Sequence, residues 1–240
     1  MNYLQHFTPA FDLLDSLALA LFIATWLLLG WVTEHPPASR PSVCVLMRHY
    51  RRAWMVEFVT RDPRIFDVAL IDSLRQGTAF FASTSLIAVG GGVAMLTNAA
   101  TVVGLAQDLT IGVEMVEVQV KIALVVALMA NALLKFVWSN RLFGYCAILM
   151  AAVPNDISAP HVHALARQAA EVNITAARSF NRGLNAVYFA LGALAWLAGS
   201  WALMAATLAT AAVLLRREFA SQSRAVMLQG LALTGTDSAR

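Results

Sequence analysis

Long apolar runs separated by polar segments are the main feature of this sequence. The first three runs cover about 13–32, 78–97 and 120–138. Each run has roughly 20 residues, enough for a helix to cross the hydrocarbon layer of a membrane, which is about 30 Å thick. A fourth apolar run, 184–215, is longer than a simple crossing requires. The pattern therefore predicts several membrane-spanning helices.

The fourth run admits two arrangements. A hairpin that turns at Gly199-Ser200 gives two short spans, 184–198 and 201–215, and places its tryptophans at a membrane interface, where tryptophan is enriched. A single long, tilted helix gives one span. The chain is accordingly predicted to have five spans or four.

Two polar segments, 43–76 and 155–182, are predicted to be cytoplasmic helices. The stretch Val43–Thr60 combines arginines with large apolar side chains, which is typical of an amphipathic helix. Such a helix suits either the headgroup plane of a membrane or the surface of neighbouring helices, and both alternatives stay open. Asp62 and Pro63 then predict the N-cap and the first turn of the next helix.

Small residues are concentrated in the second apolar run, from Ala79 and Ser83 to Gly90–Gly92. Small side chains allow helices to approach closely, and this favours association in lipid. Three successive glycines could instead loosen the helix. In both cases we expect this span to be buried against protein, and we predict that the chain forms a homo-oligomer.

The composition extends this picture to the whole chain. Of the 240 residues, 59% are hydrophobic and 13% are charged, whereas soluble domains have about 45–50% and about 25%. A surface with so few charges must largely face lipid. The predicted fold class is an all-α, polytopic transmembrane helix bundle of four to five spans with amphipathic cytoplasmic helices, and residues 1–240 form one integral membrane domain.

The distribution of lysine and arginine predicts the orientation. There are seven in 33–77, one in 97–121, four in 139–183 and four after Leu215, but none before Leu13. Because cytoplasmic loops are enriched in these residues, the N-terminus is predicted to lie outside and the tail inside. That topology needs an even number of crossings in the fourth run, and it favours the hairpin. A multi-pass protein of a bacterial inner (plasma) membrane is expected.

Several motifs, in a fixed order, resemble a known family. They are Arg48–Met55, Arg61–Asp67, Gly77–Ser85, Lys135–Phe143 and Asn181–Ala190. This series is similar to the bacterial and plant membrane proteins grouped as domain of unknown function 599, over about Val43–Phe219. The resemblance implies that these segments form one membrane unit, and it implies no activity.

Enzyme signatures are not evident in the sequence. We find no phosphate-binding glycine loop and no serine–histidine–aspartate set in a recognisable context. His161 and His163 are too few for a metal site, and Cys44 and Cys146 resemble small buried hydrophobes. We expect no enzymatic activity, no cofactor and no metal. Nucleic acid is also not expected as a partner, because no basic run is interleaved with aromatics.

Polar groups inside the third span are the first candidate site. Asn131, Lys135 and Ser139 are spaced by four and therefore share one helical face, with Arg141 just beyond. Lys135 either lines an ion pathway or extends to the lipid headgroups. The candidate pathway residues are Lys135, Arg141, Asn131, Ser139, Ser83 and Ser85.

Acidic partners for Lys135 are scarce in the apolar runs. Asp67 and Asp72, on the helix that leads into the second span, are the expected partners.

An arginine cluster in the first polar loop is the second candidate site. Arg48, Arg51 and Arg52 are interpreted as ligands of anionic lipid headgroups, as the cytoplasmic mouth of an anion pathway, or as salt-bridge partners of Glu57 or Asp62.

Two functions remain open at this point. The first is an oligomeric membrane channel or permeation pathway, with an anion as its ligand. The alternative is a scaffold or accessory subunit that binds partners or anionic membrane lipids through its cytoplasmic helices.

Overall fold

The computed structural model of the chain describes residues 12–98 and 115–237. These two ranges are helical and contain no strand. Their helices are α1 (Leu13–Glu34), α2 (Val43–Thr60), α3 (Ile65–Thr97), α4 (Met115–Ala151), α5 (Val162–Ala193), α6 (Ser200–Phe219) and α7 (Gln222–Asp237), and a 3-10 turn (Leu194–Ala198) joins α5 to α6.

Three helices in these ranges are long and apolar enough to cross a membrane: Leu13–Glu34, Ile65–Thr97 and Val116–Ala151. They contain the first three predicted spans. At 1.5 Å per residue, α3 and α4 are roughly 50 and 55 Å long, which exceeds the thickness of a hydrocarbon layer. Both helices therefore extend well beyond the apolar runs that identify them. The N-terminal segment and most of the acidic connection after α3, on which the topology prediction also depends, lie outside the described residues.

The α4–α5 pair forms the centre of the bundle, with α3 against α4, α2 against α5, and α1 against α6. The fully buried Phe136 of α4 lies directly over Gly183 of α5. A Cβ atom at position 183 would be 2.7 Å from the Phe136 ring, so this close approach requires glycine.

The amphipathic helix α2 packs on other helices. Its Met55, Phe58 and Val59 are buried together with Val162 and Ala166 of α5. Large apolar side chains at i, i+3 and i+4 give α2 one apolar face, and burial of that face stabilises its position on α5. The structure thus supports the second alternative for α2, a helix packed against its neighbours.

The start of α3 corrects a sequence prediction. Asp62 and Pro63 lie before the helix, with a cis peptide bond between them, and Arg64 is the N-cap residue, without a side-chain cap. Arg64 instead donates hydrogen bonds to the carbonyl oxygens of Val153 and Pro154, at 2.7 and 2.9 Å. These bonds tie the turn to the end of α4, and the helix begins one residue later, at Ile65.

Helix α3 continues through Gly90–Gly92, so the glycines do not break it. Only Gly92 is in close contact with another helix, at Val126 of α4, and nothing lies within 4 Å of a Cβ placed at Gly91. Only 6% of the most apolar 18-residue window of α3 is buried. Within one chain, the second span is therefore not buried against protein as expected.

The last apolar block forms an antiparallel hairpin. Helix α5 runs without a break from the predicted cytoplasmic segment into the apolar run, so the predicted boundary near Gly183 is not a helix end. The chain reverses at Gly199, whose φ of 113° is rarely adopted by other residues. Gly192 then lies opposite Thr210. The turn is at the position that the sequence predicts.

Candidate functional site: an arginine-lined chamber

A polar stripe on α5 marks the site. Arg178, Asn181, Arg182 and Asn185 follow one another at intervals of three and one residues, so they share a face of the helix. This face lies where α5 passes the end of α1, the start of α2 and the end of α6. Side chains that are distant in the sequence meet here.

A cavity of about 360 Å³ lies on one side of this stripe. We call it the arginine chamber, since four arginines line it: Arg48 and Arg51 of α2, Arg178 of α5 and Arg217 of α6. The rest of the wall is mostly apolar and includes Leu74, Phe143, Ile174 and Phe180. The chamber thus combines clustered positive charge with an apolar surface.

Two of these arginines have donors without partners. The Nε atoms of Arg48 and Arg178 are buried and have no hydrogen-bond partner among the described residues. Arg48 donates through Nη2 to the backbone oxygen of Glu34 at 3.2 Å. The carboxylate of Glu34 is 4.0 Å from Arg178 Nε, beyond hydrogen-bond distance. Leaving a buried charged donor unpaired costs about 1–3 kcal/mol or more, so a bound acceptor would stabilise this arrangement.

Arg51 is a third, partly buried cation of the chamber wall. Its guanidinium donates to the side-chain oxygen of Asn173, which is itself fully buried. Burial lowers the pKa of Arg51 from its ordinary value, because the charged form is poorly solvated. No carboxylate in the described ranges pairs with Arg51. The chamber therefore holds positive charge that the carboxylates of the described residues do not fully neutralise.

Glu218 is the acidic residue of the chamber wall. Its carboxylate accepts a hydrogen bond of 3.0 Å from the backbone N–H of Cys44, in the first turn of α2. Burial raises the pKa of Glu218 above its ordinary value, and the Cys44 bond opposes this only in part. The carboxylate is thus easier to protonate than usual, and it offsets the four arginines weakly.

The arginine cluster of α2 is divided by the fold. Arg48 and Arg51 line the chamber, whereas Arg52 lies outside it and pairs with Glu171 of α5 at 2.7 Å. Both partners of that pair are about half exposed. The third alternative for this cluster, a salt bridge to Glu57 or Asp62, is wrong for Arg52, because the packing of α2 on α5 brings Glu171 next to it.

The pathway residues of α4 separate into three environments. Asn131 and Lys135 line a second cavity, of about 340 Å³, between α1, α4 and α5. Ser139, one turn further along, is fully buried and donates to the backbone oxygen of Ala176 at 2.8 Å. Arg141 is exposed. Ser139 therefore meets different neighbours in the bundle from Asn131 and Lys135, although the three residues share one helical face.

The two serines of α3 also lie apart. Ser85 is buried and Ser83 is exposed, since they are two positions apart and face different sides of the helix. Within the part of the chain that the structure describes, the six predicted pathway residues do not line one common cavity.

The acidic partners expected for Lys135 are wrong. Asp67 accepts hydrogen bonds from Trp54 Nε1, at 2.6 Å, and from Arg61. Asp72 accepts from Gln76 of its own helix. The carboxylate that lines the Lys135 cavity is Glu34, because α1 rather than the start of α3 packs beside this part of α4.

Sequence reasoning missed the contributions of Arg178, Arg217 and Glu218. The stripe on α5 was an available signal, because a polar row of this kind leading into an apolar helix is unusual. Arg217 and Glu218 had no such signal. Of the two cysteines, Cys146 is fully buried, as expected, whereas Cys44 is partly buried and borders the chamber.

Over the described residues, the fold is that of an all-helical protein with three helices long and apolar enough to cross a membrane. A family model described as protein of unknown function, DUF599, matches residues 17–223, a range that includes the whole chamber. The chain belongs to this family, which confirms the resemblance seen in the sequence. No curated protein and no solved structure matches the chain.

Proposed function

We propose that this protein binds a small organic anion in the arginine chamber. The observation that carries the proposal is that Arg48 and Arg178, which both line this cavity, each have a buried Nε donor with no hydrogen-bond partner among the described residues. Buried polar groups in folded proteins are nearly always hydrogen-bonded, and exceptions are typical of sites that take a ligand.

The chemistry of the wall indicates the kind of anion. Guanidinium groups present several N–H donors in a plane and suit the oxygens of phosphate or carboxylate. The apolar side chains of Leu74, Phe143 and Ile174 suit an aromatic or aliphatic group attached to that anion. A volume of about 360 Å³ lies within the range of small-molecule sites. An organic phosphate or carboxylate therefore fits both parts of the wall.

The proposal includes a position in the cell. The chamber arginines lie on α2, α5 and the end of α6, in the arginine-rich parts of the sequence. By the preference of lysine and arginine for the cytoplasmic side, the chamber faces the cytoplasm of a bacterial cell, with the α5–α6 hairpin adding two short crossings to the three long ones. The ligand would then enter from the cytoplasm.

Ligand binding by a non-transporting membrane protein is thus preferred over a channel. The second candidate, an oligomeric anion pathway, is favoured by one observation, the open surface of α3 at Gly91. A second copy at this surface could bury the small residues of the second span and add its own polar groups. A pathway would need that assembly, because the predicted residues do not converge in the described part of one chain.

Direct binding of phenyl phosphate tests the proposal. Purified protein in a neutral detergent is titrated with phenyl phosphate by calorimetry, and phenol serves as the uncharged control. We expect binding of phenyl phosphate and none of phenol. Because a hydrogen bond to a charged group contributes about 1.5–3 kcal/mol, Arg48→Gln and Arg178→Gln should each weaken binding by about 10- to 100-fold.

Arg52→Gln is the matched control. It removes the same charge from the same helix as Arg48→Gln, but at a position outside the chamber, and it should leave affinity unchanged. The proposal is wrong if all three variants bind equally. It is also wrong if neither phenyl phosphate nor benzoate binds the unaltered protein.

A further inference from the structure

The second cavity shares no lining residue with the arginine chamber. It has a volume of about 340 Å³ and lies between α1, α4 and α5, and Arg182 and Asn185 of the α5 stripe line it. We call it the lysine cleft, after Lys135. Its α1 wall includes Leu27 and Trp31, which are 60% and 62% exposed on the outside of the bundle.

These exposed residues belong to a helix that is apolar and long enough to cross a membrane. The outer surface of α1 at this level therefore faces lipid. Trp31 lies near the end of α1 and stacks on His35, with ring centroids 5.6 Å apart. Tryptophan at the end of a spanning helix is typical of the headgroup level. The cleft accordingly lies where phosphates of the adjacent leaflet are found.

The charges in the cleft leave one cation without a partner. Glu34 accepts two hydrogen bonds from Arg182, at 2.5 and 2.6 Å, so these two charges neutralise each other. The ammonium group of Lys135 forms no ion pair or hydrogen bond with any described residue, and Ser179 of α5 donates only to the backbone oxygen of Lys135, at 2.9 Å. The remaining charge of about +1 matches the single negative charge of a phosphodiester.

Two amides add hydrogen-bonding capacity beside the lysine. Asn131 lies one turn before Lys135 on α4 and lines the same cleft. The side-chain oxygen of Asn185 is buried and has no hydrogen-bond partner among the described residues. An amide oxygen accepts, so it requires a donor such as a hydroxyl group. A phosphodiester that also carries hydroxyls supplies both the charge for Lys135 and the donor for Asn185.

We infer that the lysine cleft is a binding site for one anionic phospholipid whose phosphodiester headgroup carries hydroxyl groups, such as phosphatidylglycerol. Its phosphate binds Lys135 and Asn131, a headgroup hydroxyl donates to Asn185, and its acyl chains lie against the exposed apolar surface of α1. Phosphatidylcholine has the same phosphate but bears a fixed cation and no hydroxyl in its headgroup, so it fits this wall less well.

Native mass spectrometry of the full chain tests this inference. Protein purified in a mild detergent is mixed with equal amounts of phosphatidylglycerol and phosphatidylcholine, and the bound lipids are counted. We expect one phosphatidylglycerol per chain to be retained in preference to phosphatidylcholine. A lysine near the membrane surface contributes about 1 kcal/mol to binding of an anionic lipid, so Lys135→Gln should reduce this preference roughly fivefold. Lys135→Arg should restore it.

Arg141→Gln is the control, because it removes an exposed cation from another face of the same helix. The inference is overturned if Arg141→Gln lowers the preference as much as Lys135→Gln, since the lipid would then respond only to surface charge. Equal retention of the two lipids also overturns it. A separate arm adds glycerol phosphate, and binding of this soluble compound with no preference between the lipids would assign the cleft to a soluble phosphate instead.

Discussion

The two ends of the helix bundle differ in whether their buried polar groups have hydrogen-bond partners among the described residues. At one end, Asp15 of α1 accepts hydrogen bonds from Trp196 Nε1, at 2.8 Å, and from Ser200, while Lys121 is buried beside Glu117 of its own helix. We call this the paired end. At the other end, the arginine chamber leaves donors of Arg48 and Arg178 without partners among the described residues.

This difference separates structural polar groups from those available to a ligand. At the paired end, the side chains of Asp15, Lys121 and Trp196 interact with one another, so the cost of their desolvation is offset within the chain. At the chamber, partly buried cations line a cavity, and the desolvation of the Arg48 and Arg178 Nε donors is not offset by a hydrogen bond from any described residue. Changes at the paired end should therefore affect folding, and changes at the chamber should affect binding.

The largest effect is expected at the paired end. Asp15→Ala removes the acceptor of two hydrogen bonds to a charged group, and it should lower the free energy of unfolding by about 2 kcal/mol. Reversible unfolding in mixed detergent micelles measures this loss. Affinity for phenyl phosphate, measured under conditions where the variant is folded, should not change. A loss of binding without a loss of stability would contradict the assignment of Asp15 to folding rather than to binding.

The chamber arginines should show the opposite behaviour. Arg178→Gln removes a buried donor that has no hydrogen-bond partner, so the unliganded protein should keep its free energy of unfolding within about 1 kcal/mol. The stabilisation that phenyl phosphate gives to the unaltered protein, read as a rise in melting temperature, should be largely lost in this variant. An unliganded Arg178→Gln protein that is as unstable as Asp15→Ala would show that Arg178 is structural.

A smaller effect is expected at Glu218. Its pKa is raised above 4.5 by burial. Its contribution to stability is therefore fully present below 4.5 and is lost as the pH rises through the raised pKa. Over the same interval the carboxylate gains negative charge, and anion affinity should fall. Glu218→Gln should bind phenyl phosphate a few-fold more tightly at neutral pH and should flatten this pH profile. An unaltered profile would exclude Glu218 as its source.

The smallest effect on a single chain is expected at Gly91. Nothing lies within 4 Å of a Cβ at this position, so Gly91→Leu should leave both ends of the bundle unchanged. The mass of the Gly91→Leu protein in detergent, measured by light scattering, tests self-association. A lower mass for Gly91→Leu than for the unaltered protein would support the oligomer, and a monomer in both would remove the basis of the channel hypothesis.

Much of the architecture follows from local sequence signals. The three helices that are long and apolar enough to cross a membrane are visible because long apolar runs are distinctive, and the turn at Gly199 is visible because glycine interrupts an apolar run of excessive length. The prediction of an N-cap at Asp62 is wrong because a tertiary contact, from Arg64 to the end of α4, determines where α3 begins. Local preference contributes less there than the contact between helices.

The site was less predictable, for a physical reason. Arg48, Arg51 and Arg52 are nearly contiguous, and only the packing of α2 on α5 determines that the first two face a cavity while the third faces Glu171. Arg178 and Arg217 are separated from them by more than a hundred residues in sequence. A helical period identifies residues on one face, but it does not identify what that face meets.

The central claim, that the chamber arginines at one end of the bundle form an anion site, is most directly tested by anomalous diffraction. Crystals grown with selenate, a small oxyanion, would be measured at the selenium absorption edge. We predict an anomalous peak in the chamber within hydrogen-bond distance of Arg48 Nε and Arg178 Nε. Peaks only at exposed cations such as Arg52 and Arg141, with none in the chamber, would contradict the account.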